Sequence, residues 1–183
     1  MKEIDILEKY IGKMKKTCSF FDHQLCIDSP NGGLEYFVLL YDKIPERFLY
    51  AAYKEALMKN QRHKFKKTLF TERLESRIRM MGRKENSSNS KLQNLADEDG
   101  FLTVYRGHTA DIEHTSASWT LNLNYAHWFG RRHAEFDKLP YYYITQGRVK
   151  IEDIIMYITE KNEDEIVALP KFVKEKTRKI FEF

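Results

Sequence analysis

The chain has 183 residues, 42% hydrophobic and 14% aromatic, with four prolines and eight glycines. It is long enough for one ordinary domain or a small catalytic domain with a helical extension, and too apolar for general disorder. Net charge is only +4, but residues 100–183 carry twelve Lys/Arg against twelve Asp/Glu, so the excess lies upstream. Between Lys59 and Lys84 ten Lys/Arg face two Asp/Glu, a balance of +8 suited to nucleic acid or an acidic surface, or else to a solvated helix face.

The longest apolar run, residues 36–41, is far short of the about 20 residues of a membrane span. The N-terminal stretch lacks the apolar core of a secretory signal. The expectation is a soluble, cytoplasmic chain with no membrane partner.

The first predicted element is a helix over residues 3–16, with Ile4, Leu7, Ile11 and Met14 spaced by three or four. Asp28-Ser29-Pro30-Asn31-Gly32-Gly33 is a dense turn signal, and residues 35–40 read as a short strand or the start of a helix. Pro45 suits a first helical turn, and Phe48, Leu49, Ala52, Tyr53, Ala56 and Leu57 form one apolar stripe behind it. A further helix is predicted over residues 67–81, with Leu69, Phe70, Leu74, Ile78 and Met81 inward. Cys18, His23 and Cys26 supply only three local metal ligands, with His63 the nearest fourth candidate, so no metal site is assigned.

Residues 85–99 are rich in Ser, Asn and acid and have no apolar period, which reads as a polar linker. That divides the chain into a helical region, 1–99, and a second module, 100–183. In the second, residues 101–105, 141–145, 154–158 and 165–169 have strand character, and residues 123–133 read as a helix capped by Asn122. The predicted class is α+β.

Three signals in the second module carry chemistry. Arg106 ends a predicted strand beside Gly107; a guanidinium matches phosphate oxygens in pairs, and glycine permits close backbone approach. Ser118 and Thr120 alternate around Trp119 and share a strand face, where hydroxyls can orient a carboxylate or cap the following helix. Glu163 and Glu165 are also two apart, so a strand would place both carboxylates on one side; the bland alternative is an acidic turn in water. A carboxylate on a sugar hydroxyl can stabilise positive charge developing at an anomeric carbon. Neither a Gly-x-Gly-x-x-Gly nor a phosphate loop occurs.

In order, Tyr105-Arg106-Gly107, the stretch 118–129 with Ala126 and Phe129, and the stretch 163–169 resemble the arginine-serine-glutamate class of ADP-ribosyltransferases over residues 101–170. Trp119 and Thr120 stand where that family has Thr and Ser. The resemblance implies two small packed β-sheets enclosing an NAD cleft, with NAD as substrate. It implies that Arg106, Gly107, Ser118 and Thr120 bind NAD, that Ser118 positions Glu165, and that Glu165 promotes nicotinamide departure. Glu163 would then serve a macromolecular acceptor, a protein side chain with arginine favoured. NAD hydrolysis and a non-catalytic binding protein working through residues 59–84 are the alternatives.

Overall fold

A computed structural model describes residues 37, 41–44, 46–58, 72–109, 117–159 and 164–182. The chain divides into two compact units, Met1–Ile78 and Arg79–Phe183. In the first, helix α1, Glu46–Met58, buries Leu49, Ala52, Tyr53 and Ala56, four of the six residues of the predicted stripe, and Tyr53 packs on Phe37 with ring centroids 5.2 Å apart. Arg77 donates to Glu46 at 2.6 Å.

Helix α2, Glu72–Ser87, crosses the boundary between the units and runs six residues beyond its predicted end. The expected linker is therefore largely helical: after α2 the chain forms α3, Ser90–Leu95, whose first amides donate to the N-cap Asn89 side chain. The expected boundary at 99/100 falls inside the second unit. Composition misled because one apolar residue per turn suffices where a helix lies on a sheet core: Leu92 is fully buried there. Asn86, also buried, donates to the Ile154 carbonyl at 2.9 Å.

The second unit is built on β1 (Phe101–His108), β2 (Ser118–Thr120), helix α4 (Leu123–Asp137), β3 (Tyr141–Lys150), β4 (Met156–Ile158), β5 (Glu165–Val167) and β6 (Lys174–Glu182). Where two packed sheets were expected, the strands join in one antiparallel sheet ordered β4-β5-β2-β1-β3-β6. The class is α+β. The three long strands, β1, β3 and β6, form one half and the three short ones the other. Between the halves β1 and β2 share a single residue pair, Tyr105 with Thr120, whereas β1 and β3 pair over eight. Strand β6 escapes sequence reading because it is a charged edge strand, whose Lys, Arg and Glu suppress any apolar alternation and also discourage further strand pairing.

Alternation sorts the sheet faces. Leu102, Val104, Trp119, Val149 and Ile166 build one core with Leu92 and Ile154. On the opposite face Tyr142 and Ile144 pack with Tyr105 against α4. Asn122 caps α4 as predicted, accepting from the Asn124 amide at 2.9 Å. The buried positions of α4 are all small: Ala126, Gly130 and Ala134. That stripe brings the helix almost onto the strand backbone. A Cβ on Gly107 would sit 1.9 Å from the Ala126 carbonyl oxygen and 2.4 Å from the Gly130 nitrogen. Gly107→Ala is expected to destabilise the protein by about 3 kcal/mol, at the upper end of overpacking costs, read as a lowered urea midpoint with unchanged slope.

Candidate functional site

The single β1–β2 pair leaves a seam. Continuing its register would set Gly107 opposite Ser118, but the ladder stops at Tyr105 and Thr120. The Ser118 carbonyl is instead met by a side chain, accepting a hydrogen bond from Arg106 Nη1. Arg106 thus crosses the seam that its own strand leaves open.

The next strand supplies the acid. Strand β5 pairs with β2 in the register Ser118–Val167, Trp119–Ile166 and Thr120–Glu165. Partners directly opposite share a face, so Thr120 and Glu165 point the same way, and Ser118 does too, two residues back. The diagonal neighbours touch: Ser118 Oγ donates to Glu165 Oε1 at 2.5 Å. Arg106, Ser118 and Glu165 therefore come together from three strands.

Their electrostatics are coupled. Burial pushes the Arg106 guanidinium down to about 10, and the Glu165 charge acts against that shift. It remains cationic at neutral pH. Its Nε meets no acceptor among the described residues, nor does Trp119 Nε1 on the adjoining strand. A buried donor left unmet costs about 1–3 kcal/mol, so Arg106 Nε at the seam and Trp119 Nε1 on the core face each come at some expense in stability. His133 of α4 lies against the same arginine. Although much of the residue faces solvent, desolvation of its ring pushes its pKa down and Arg106 pushes it further; Asp137 and the Gly107 carbonyl pull it up by less.

The other expected residues are placed differently. Thr120 is buried, and its Oγ1 accepts from the Asn122 amide at 3.0 Å, so it turns the chain into α4 while Ser118 reaches the acid. The close approach that Gly107 permits is used by α4. Glu163 lies outside the described residues, as do Cys18, His23, Cys26, His63 and the segment 59–71. Strand β5 begins at Glu165, and Asp164 before it has a left-handed φ of 46°. Among the described residues no group of three or more His, Cys, Asp or Glu side chains could hold a metal, and no helix is long and apolar enough to cross a membrane.

Two groups near the site, His108 and Asp164, stand in the sequence beside the candidate residues without an assigned role. His108, two residues after Arg106 on β1, is fully buried, shares a 2.8 Å hydrogen bond with Thr145 and stacks on Tyr143. Its position two residues from Arg106 was the available signal. Asp164 accepts from Lys91 Nζ at 2.7 Å and from Tyr157 Oη at 2.6 Å. No local signal could have found that partnership, since Lys91 lies in α3, far away in the chain.

A family model described as Poxvirus D5 protein-like matches residues 21–102. The match covers less than half of the chain and ends within β1, before Arg106, Ser118 and Glu165. Comparison with curated proteins and with solved structures gave no match.

Desolvation pushes the Asp164 carboxyl up, but hydrogen bonds from Lys91 and Tyr157 outweigh it and hold the net pKa below the ordinary carboxylate value. A carboxyl more acidic in the folded than the unfolded chain adds stability above its unfolded pKa and loses it as pH falls through the folded value. The stability difference between wild type and Asp164→Asn is expected to be full above about pH 4 and to shrink as the medium is made more acidic. Urea unfolding of both proteins across pH 2–7 would measure it; a difference independent of pH would count against the charged partnership.

Proposed function

We propose that the chain is an ADP-ribosyltransferase that splits NAD at the nicotinamide–ribose bond and passes ADP-ribose to a macromolecular acceptor. The observation that carries the proposal is the hydrogen bond from Ser118 Oγ to Glu165 Oε1, with Arg106 bound to the same serine's carbonyl. What supports the reading is that Ser118 bonds both other residues of the arginine-serine-glutamate pattern, Arg106 through its carbonyl and Glu165 through its hydroxyl.

The chemistry follows from charge. As the C–N bond breaks, its electron pair leaves with nicotinamide, which becomes neutral, and the ribose carbon becomes oxocarbenium-like. Glu165, held by Ser118, accepts a hydrogen bond from a hydroxyl of that ribose and places negative charge beside the cation. One bond to Ser118 pins the carboxylate in one rotamer, so little reorganisation accompanies the reaction. Arg106 acts from behind, fixing the Ser118 backbone; its further N–H groups suit a phosphate or ribose oxygen of NAD. The acceptor then attacks the ribose carbon, and Glu163 is the group assigned to orient or deprotonate it. A protein side chain is the proposed acceptor; with water in that place the same residues give NAD hydrolysis.

A second reading has its own support. The Poxvirus D5 protein-like match contains the basic segment 59–84, and a binding protein contacting a polyanion through that segment needs no catalysis.

Purified protein is expected to release nicotinamide from NAD, and Glu165→Gln to lower that rate by about 100-fold or more. Equal release by the two proteins would remove Glu165 from the mechanism. If neither is active and the wild type shows salt-dependent nucleic-acid binding that charge reversal in 59–84 abolishes, the second reading takes its place.

A further inference from the structure

Strand β5 is three residues long and pairs over three positions with β2 and three with β4. So few ladder bonds leave the register to the burial of Ile166 in the core and to the residues flanking the strand, and a slip of one residue would turn Glu165 to the opposite face, away from Ser118. Where β5 begins is open to a further constraint from the residue just before it.

Asp164, immediately before it, is tied on three sides. Its Oδ1 accepts from Lys91 Nζ in α3 and Tyr157 Oη in β4, at 2.7 and 2.6 Å. Its carbonyl accepts from the Leu121 amide, just past β2, at 3.0 Å. Its φ of 46° breaks the extended run before Glu165, a conformation that Asp and Asn tolerate better than most residues. A lone surface ion pair would carry little weight. Here Tyr157, half-buried against the sheet core, bonds the same oxygen as Lys91, and the Lys91 ammonium also sits 5.9 Å over the Tyr157 ring. The arrangement joins a helix, the edge strand β4 and the segment after β2 at one residue.

We infer that Lys91, Tyr157 and Asp164 are a positioning set that anchors the start of β5 and so holds Glu165 in the register that meets Ser118. The inference rests on the reading of Glu165 as the acting carboxylate. It makes α3, which looked like linker in the sequence, part of the machinery of the site. None of the three touches substrate; each acts through Glu165.

The test uses the full chain and three variants, Lys91→Met, Tyr157→Phe and Asp164→Asn. Lys91 is about half exposed and Asn accepts a left-handed φ, so folding is preserved in at least these two. At saturating NAD, Lys91→Met and Asp164→Asn are expected to lower kcat for nicotinamide release about ten- to one-hundred-fold, with KM for NAD within about two-fold. The unfolding midpoint of Lys91→Met should stay close to wild type, and Asp164→Asn should lose only the pH-dependent stability that its carboxylate supplies, so its kcat is compared at a temperature and denaturant concentration where it is fully folded. An unchanged kcat, or a loss of activity that follows the unfolding midpoint, overturns the inference. Amide hydrogen exchange supplies a readout independent of catalysis: Leu121 and residues 165–167 should exchange faster in the variants while the β1–β3 amides keep their protection. Unchanged protection at Leu121 overturns the positioning set even if the protein is active. Faster exchange in a protein inert towards NAD sustains the anchoring of β5 and brings down the catalytic reading alone.

Discussion

The sheet of the second unit depends on how its two halves are joined. One residue pair, Tyr105 with Thr120, is all the ladder provides between β1 and β2, and the Arg106 guanidinium takes over where the ladder ends by binding the Ser118 carbonyl. A backbone ladder would have satisfied the same carbonyl more cheaply, without burying a cation. What the side chain adds is charge: a desolvated guanidinium set near Glu165, which in turn lessens the penalty of burying it. Joining the halves and shaping the site electrostatically are thus one interaction.

That junction is supported on both sides by close packing that leaves little freedom. On one face the small stripe Ala126, Gly130, Ala134 lets α4 lie almost in contact with Gly107, next to Arg106. This also brings His133 towards the arginine, whose charge adds to desolvation in lowering the imidazole pKa. On the other face Trp119 fills the core between Val104 and Ile166. The residue that looks too large for its place in the serine strand is directed away from the Ser118–Glu165 face by strand alternation, and there it holds β2 against the core.

Several elements were readable because their signals are local. The apolar stripe of α1, the Asn122 cap, and the alternation of Leu102 and Val104 in β1 each follow from periodicity or capping chemistry within a few residues. The helices at 85–95 were not, because their polar residues face water and single buried groups, Asn86 and Leu92, secure them to the sheet. Strand β6 was hidden by its charge. The lengths of β3 and β5 also depended on partners: β3 runs on through Lys150 because β1 and β6 pair with it, whereas β5 stops at Val167.

By itself the sequence determined the α+β class, since periodicity and residue chemistry are properties of the chain alone, and its resemblance to the arginine-serine-glutamate pattern singled out Arg106, Ser118 and Glu165 as candidates. It could not decide which hydroxyl serves the acid. Ser118 and Thr120 are equivalent in a strand pattern; the register of β2 with β5 sets Thr120 opposite Glu165 and Ser118 on the diagonal, and the folded side chains bond Ser118 to the acid while Thr120 accepts from the Asn122 amide at the turn into α4. Nor could it show that Asp164, read as one charge in an acidic turn, is gripped by Lys91 and Tyr157. Register and long-range pairing depend on where other strands and helices come to lie, and that is fixed only when the whole sheet has assembled.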